Sequence, residues 1–119
     1  MDLQFEELYW HDSIVKDIVI DKGTDRINDT ICFEIDWYDV GLRKLLFENV
    51  YWARLELNFG IHGNDFIDYG YIAPEDDVDL LKVRSKWDPY INVKLYCFVI
   101  KTASTSSEIK IVARRFRIV

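Results

Sequence analysis

TICFEIDW, residues 30–37, is the stretch that decides the fold class, because apolar and polar residues alternate along it without a break. Successive side chains of a β-strand point to opposite faces of a sheet, so this pattern predicts a strand with one buried face and one solvated face. The buried face would carry Ile31, Phe33, Ile35 and Trp37.

The segment before this strand repeats the pattern. Residues 13–21 place Ile14, Ile18 and Ile20 on one face of a second predicted strand. Between the two strands, residues 22–29 are rich in turn-forming residues, which predicts a hairpin connection.

The rest of the chain continues in the same way. Residues 43–50 and 52–59 predict two further strands, and residues 90–102 carry apolar residues on both parities, which is typical of a central strand. Residues 108–119 predict the last strand. Its alternation changes parity near 113–115, which implies a β-bulge or an edge strand exposed to solvent on both sides.

Six or so short strands with little helical periodicity predict a mainly β protein, an antiparallel meander that forms a sandwich or a partly open barrel. The one helical signal follows Pro74, where acidic residues complement the positive end of a helix dipole. It predicts a short helix over about residues 75–83, with Leu80 and Val83 on one face. A length of 119 residues predicts a single β-rich domain, residues 1–119.

Composition argues against several other classes of protein. The N-terminus has neither a basic region nor a continuous apolar run, so we expect a cytoplasmic protein. No stretch approaches the ~20 apolar residues of a membrane-spanning helix. In the predicted strands Cys32 faces outward and Cys97 inward, so we expect two free thiols. No phosphate-binding glycine pattern is present, and we expect no cofactor.

Charge is distributed unevenly along the chain. The net charge is −6, and residues 1–41 alone carry 11 acidic and 3 basic residues. This balance disfavours nonspecific binding to nucleic acid, which needs clustered Lys and Arg, and favours a basic protein partner. The C-terminal strand carries a basic cluster that is predicted to keep an edge strand soluble. The cluster consists of Lys110, Arg114, Arg115 and Arg117.

His11, Asp12 and Ser13 are three residue types used in nucleophilic catalysis. Neighbouring residues of a strand point to opposite faces, whereas a catalytic triad must converge in space. We therefore expect Asp12 or Ser13 to cap a turn through its side-chain oxygen. The two histidines and two cysteines lack metal-binding spacing, so no metal site is predicted.

The acidic run after Pro74 is the most conspicuous charge feature. Its simplest interpretation is a solvated helix start. The alternative is a surface whose carboxylates meet a basic protein, while tyrosines contribute contact area. The partner-binding residues predicted on this alternative are Glu75, Asp76, Asp77, Asp79, Tyr69 and Tyr71.

The opening LYWHDSIVKDI, residues 8–18, leads into an alternating strand, a polar turn and another alternating strand. It resembles small bacterial immunity-type proteins of polymorphic toxin systems, most strongly over residues 8–50. The resemblance implies a cytoplasmic protein that neutralises a cognate toxin by binding it and has no catalysis of its own. It supplies no set of binding residues.

Two other functions are compatible with the sequence. One is an enzyme or small-ligand-binding protein whose pocket contains His11, His62 and aromatic side chains. The other is a homo-oligomeric structural protein in which exposed aromatic side chains form the contact between copies. The oligomeric state is left open.

Overall fold

A computed structural model describes residues 2–23 and 29–119 of the chain. It confirms the prediction of a mainly β, antiparallel protein with a short helix after Pro74, and it adds a five-residue helix near the N-terminus. The elements in chain order are α1 Asp2–Glu6, β1 Ile14–Asp21, β2 Thr30–Trp37, β3 Gly41–Glu56, β4 Ile67–Ile72, α2 Val78–Trp87, β5 Tyr96–Thr102 and β6 Glu108–Ile118.

Within the described residues the strands form one six-stranded sheet in the order β1-β2-β3-β6-β5-β4. Two three-stranded meanders are thus joined at the centre by pairing of β3 with β6. A single bridge joins Ile14 of one edge strand to Phe66, just before the other edge strand. The sheet therefore curls towards a barrel but stays open beyond that bridge.

The concave face of the curled sheet holds the larger core. Phe5 of α1 is fully buried at its centre, with ring centroids 4.8 Å from Trp10, 4.9 Å from Phe98 and 5.0 Å from Phe116. The four alternating residues predicted from the stretch 30–37 all contribute to this core. Helix α1 thus fills the inside of the sheet with one aromatic ring.

Helix α2 covers part of the opposite, convex face and packs a second core there. Leu80 and Val83, which were predicted to share one face of the helix, are its two buried residues. The helix begins at Val78 and ends at Trp87, later than the predicted bounds 75–83. Residues 74–77 form a turn instead, in which the carbonyl of Pro74 accepts from the N–H of Asp77 (3.0 Å). The carboxylate of Asp77 then accepts from Leu80 N–H (3.1 Å), which makes Asp77 the N-cap.

Strand β3 corrects the prediction of two strands at 43–50 and 52–59. It is one strand of 16 residues, Gly41–Glu56, whose alternation is interrupted rather than ended. Asn49 adopts a positive φ of 53°, and the pairing with β6 shifts register between Val50 and Trp52. In the sequence, such an irregularity looks the same as the end of a strand, because each of them breaks the alternation of apolar and polar residues.

Strand β6 shows the predicted change of parity, since Ala113 and Phe116 both belong to the concave core. It is not an edge strand, because it pairs with both β3 and β5. Pairing with β5 ends at Ala113, so the following residues are paired on the β3 side only. There Arg115 and Arg117 bind Glu48 at 3.2 and 3.1 Å.

Strand β1 corrects the prediction that Ile14, Ile18 and Ile20 share a face. Ile18 and Ile20 do share a face, since they lie opposite Phe33 and Ile31, but a register shift between Val15 and Asp17 puts Ile14, opposite Asp36, on the other face. Val15 takes its place against the concave core. The β1–β2 pairing confirms the predicted hairpin, but residues 24–28 of its turn lie outside the described residues. Both cysteines are free thiols, Cys97 buried and Cys32 half-buried.

No helix in the described part of the chain has both the length and the apolar character needed to cross a membrane.

Gly70 of β4 lies directly under the indole ring of Trp10, and a Cβ at this position would come within 2.5 Å of the ring. The ring is also held by a hydrogen bond from Trp10 Nε1 to the carbonyl of Phe5 (2.7 Å). We expect Gly70→Ala to lower the free energy of unfolding by about 2 kcal/mol, as overpacking does, measured by urea denaturation.

The control for this steric explanation is the double variant Gly70→Ala/Trp10→Phe, in which the smaller ring relieves the clash. It should lose less stability than the sum of the two single variants. Additive losses would show that the clash is not the cause.

Candidate functional site

The acidic run predicted as a partner-binding surface lies at the start of α2, on the convex face of the sheet. The ammonium of Lys110 on β6 binds Asp77 at 2.8 Å and Asp79 at 2.7 Å. The three side chains are only 13%, 16% and 19% exposed. These ion pairs fasten the N-terminal end of α2 to the sheet.

The same network continues across the sheet with alternating charge. Asp79 also approaches Arg54 at 3.5 Å, Arg54 binds Glu108 at 3.0 Å, and Glu108 binds Lys101 at 3.0 Å. The network thus links α2 with β3, β5 and β6.

Burial and hydrogen bonding shift the proton affinities of this network in opposite directions. Partial burial acts to raise the pKa of Asp77, but hydrogen bonds from Lys110 and from the N–H of Leu80 outweigh it and lower the pKa. For Lys110, desolvation acts to lower the pKa, and its hydrogen bonds to the two carboxylates raise it well above its ordinary value. Desolvation is also the main cause that raises the pKa of the Cys97 thiol to about 12, so this thiol stays protonated.

The remaining predicted acids behave differently from one another. Glu75 binds Arg84 at 3.0 Å and Lys94 at 3.3 Å. Asp76 is exposed and has no ion pair with any residue that the structure describes. Three of the four predicted carboxylates are therefore already neutralised by bases of the same chain.

Tyr69 and Tyr71 lie side by side on β4, with ring centroids 5.8 Å apart. Tyr71 packs against the core under α2, so the structure places this pair and the start of α2 on the same convex face. Lys101, however, lies opposite Tyr69 in the neighbouring strand. The partner-binding role of the six residues stays a prediction, and their surroundings are nearly charge-balanced.

Ser13 has the structural role expected from the sequence. Its side chain is fully buried, its Oγ donates to the carbonyl of Tyr9 (2.6 Å), and it accepts from the N–H of Tyr38 (3.0 Å). His11 is exposed, 3.6 Å from a carboxylate oxygen of Asp12 and 3.8 Å from one of Asp68. Ser13 and His11 therefore do not form a nucleophile–base pair.

The two residues that Ser13 joins form an exposed aromatic surface. Tyr9 and Tyr38 stack with centroids 5.3 Å apart and planes inclined by 16°, although they are 50% and 66% exposed. Val40 and Leu42, in and after the β2–β3 turn, are also exposed. We call the surface formed by the stacked rings of Tyr9 and Tyr38 the corner patch.

The corner patch is flanked in the chain by carboxylates of a different kind from those of the acidic run. Asp36 and Asp39 have no ion pair within the described residues, and the carboxylate of Asp12 lies 3.6 Å from the exposed ring of His11. The sequence contains a signal for this surface, because both tyrosines fall outside the alternating core positions. It contains no signal that the two rings meet.

A second candidate site is a cleft of about 390 Å³ at one end of the curled sheet. Its walls come from residues 15–18 of β1 and residues 57–59 after β3, and its base includes Asp65, Ser107 and Ile109. Neither His11 nor His62 lines this cleft. We call it the mouth cleft.

Asp65 holds the base of the mouth cleft together. Its carboxylate accepts from the N–H groups of Ser104 and Thr105 at 3.1 Å each and from the Thr105 hydroxyl. Partial burial acts to raise the pKa of Asp65, but these hydrogen bonds outweigh it and lower the pKa. Asp65 is therefore ionised at neutral pH.

Within residues 2–23 and 29–119, no three His, Cys, Asp or Glu side chains are grouped closely enough to hold a metal ion.

The Lys110 network predicts a specific stability effect. Lys110→Met keeps the aliphatic stem but leaves Asp77 and Asp79 half-buried without their ammonium, so we expect a loss of about 2–3 kcal/mol in the free energy of unfolding, measured by urea denaturation. Lys94→Met is the matched control, because its ion pair with Glu75 is exposed and worth no more than about 1 kcal/mol. Equal losses in the two variants would contradict this role.

The same network predicts the pH dependence of stability. Since the pKa of Asp77 is lowered by folding from its ordinary value of 3.8, its contribution is present above that value and is lost as the pH falls through the folded-state pKa. Unfolding measured between about pH 5 and pH 2 should therefore depend more steeply on pH in the wild type than in Lys110→Met. An equal slope would show that Lys110 does not set this pKa.

Comparison with known proteins gives no relative for this chain: no family model, no curated protein and no solved structure matches it.

Proposed function

We propose that this chain is a binding protein that captures a basic protein partner and neutralises it, in the manner that the resemblance to immunity-type proteins implies. The observation that carries the proposal is the stacked pair Tyr9 and Tyr38, which stays exposed although it is rigidly held. Tyrosines are enriched in protein interfaces because they bury much area at low entropic cost.

Rigidity supports this interpretation of the pair. Ser13 Oγ bonds to the backbone of both tyrosines, so their backbones are fixed relative to each other before any partner arrives. A surface that is already ordered loses less conformational entropy on binding than a mobile one.

Charge supports a basic partner. The net charge of −6, with 11 acids among the first 41 residues, attracts a cationic protein over long range and speeds association. At close range, the guanidinium of an arginine can lie on a tyrosine ring while a carboxylate such as Asp39 or Asp12 accepts its N–H groups.

The internal ion pairs dictate how the proposal is tested. Neutralising Glu75, Asp76, Asp77 and Asp79 together would remove both partners of Lys110 and confuse lost folding with lost binding. Variants of the corner patch avoid this, because their side chains are exposed and Tyr38 makes its bond to Ser13 through the backbone.

The immobilised full-length chain should retain a basic protein from an extract of its native cell. Retention should fall as ionic strength rises from about 0.1 M to about 1 M, over which the Debye length shrinks from about 10 Å to about 3 Å. Tyr38→Ala and Tyr38→Ala/Asp39→Asn should weaken binding of the purified partner at least ~10-fold, as loss of an interface hot spot does.

Tyr90→Ala and Asp88→Asn are the matched controls, because they remove an exposed tyrosine and an exposed carboxylate just after α2, outside every predicted partner-binding residue. Expression of the captured protein in a test bacterium should arrest growth, and co-expression of the chain should restore it. If co-expression of the chain left the toxicity of the captured protein unchanged, the proposed neutralising function would be wrong. If Tyr38→Ala bound the partner as tightly as the wild type, the corner patch would not be the binding surface.

A further inference from the structure

The mouth cleft is the part of the concave face that the core leaves unfilled. Val15, Ile18 and Ile109 form its inner wall and belong to or pack against the concave core. Phe5 of α1 occupies the centre of the same core and does not line the cleft. Ligand sites of barrel-like sheets commonly lie at such an open end.

The lip of the cleft exposes apolar surface. Phe59, which follows the end of β3, is 84% exposed, and Leu57 is 38% exposed. An occupant with a hydrocarbon body would cover both side chains, and each methylene group that leaves water contributes favourably.

The polar groups of the cleft are already satisfied within the chain. Ser107 Oγ accepts from the N–H of Asn58 (2.9 Å) and bonds to the Thr105 hydroxyl (2.7 Å), while Asn58 Nδ2 donates to the Thr105 carbonyl (2.9 Å). An occupant therefore does not have to supply hydrogen bonds to these groups. Only the charged groups select its head group.

Those charged groups favour a cation. Asp17 and Asp65 line the cleft as carboxylates, against the single ammonium of Lys16. Asp65 is fixed by three hydrogen bonds, and Asp17 by one to the N–H of Ile18 (2.9 Å). Lys16, in contrast, is exposed on a long flexible stem that can turn to solvent.

We propose that the mouth cleft binds a compact organic cation, an alkyl- or arylamine whose hydrocarbon body lies against Val15, Ile18 and Phe59 and whose ammonium group faces Asp17 and Asp65. This site is distinct from the corner patch, and the proposal does not rest on the captured partner.

The test uses three ligands with the same hydrocarbon body, octylammonium, octanol and octanoate, titrated into the full-length chain. Amide shifts in ¹H–¹⁵N spectra report the affinity and the place of binding. Octylammonium should bind most tightly and octanoate least. Octylammonium should also bind about 15-fold more tightly than hexylammonium, since each of its two extra methylene groups contributes about 0.8 kcal/mol, or roughly fourfold, when buried. The shifts should centre on residues 15–18, 57–59 and 102–107.

Variants test the contact with the ammonium group and the contact with the hydrocarbon body separately. Asp17→Asn should weaken octylammonium about two- to fivefold, as loss of an exposed ion pair does, and leave octanol unchanged. Leu57→Trp should fill the cleft and remove binding of all three ligands. Tyr90→Trp, far from the cleft lining, is the matched control.

Three results would overturn the proposal: octanoate binding as tightly as octylammonium, shifts centred outside the cleft, or no saturable binding of octylammonium at millimolar concentration. None of them bears on the captured basic protein.

Discussion

The curled sheet can exist only if its concave face is filled, and the chain fills it with aromatic rings brought from both ends of the sequence. Phe5 meets Phe98 and Phe116 at about the same distance as it meets Trp10. Because Trp10 in turn lies on Gly70, the N-terminal segment is tied to β4 at the far edge of the sheet. The loop that carries Tyr9 and Ser13 inherits its fixed position from this packing, so the corner patch is a consequence of the core.

The convex face is stabilised by a different kind of interaction. Helix α2 covers a smaller apolar core there, and the ammonium of Lys110 holds its first turn through two carboxylates. A pair of this kind contributes to stability mainly because its loss would leave buried charge without a partner. The carboxylates that bind Lys110 have little exposed surface left for an external partner. Most carboxylates of the acidic run after Pro74 are therefore already paired with bases of the same chain.

The alternation of apolar residues predicts the buried face of a strand correctly where the strand is regular, and wrongly where the backbone is irregular. Strand β2 alternates without interruption and was predicted with its exact buried face, whereas the register shift beside Lys16 in β1 reverses the parity of the following residues without any change in composition. Similarly, the alternation of apolar residues breaks near Asn49, which has a positive φ. The sequence of this one long strand therefore predicts two strands. Helix α1 has only five residues, too few for a 3.6-residue period to show.

The candidate sites were less predictable than the fold because they depend on contacts between residues distant in sequence. Lys110 is more than 30 positions from Asp77 and Asp79, and Tyr38 is 25 positions from Ser13. Residue types alone gave the candidate acids of the run after Pro74 and the tyrosines at positions 69 and 71. They did not indicate which acids are paired internally or which rings stack.

Side chains occupy backbone N–H groups on both edge strands of the open sheet. An unpaired edge strand is a template for strand addition, yet both edges here are obstructed. On β1 the Asp17 carboxylate occupies the N–H of Ile18, next to the register shift at Lys16. On β4 the Glu6 carboxylate accepts from the N–H of Ile72 (3.2 Å). Strand addition is hindered at these two positions, whereas the corner patch and the mouth cleft present side chains rather than backbone groups.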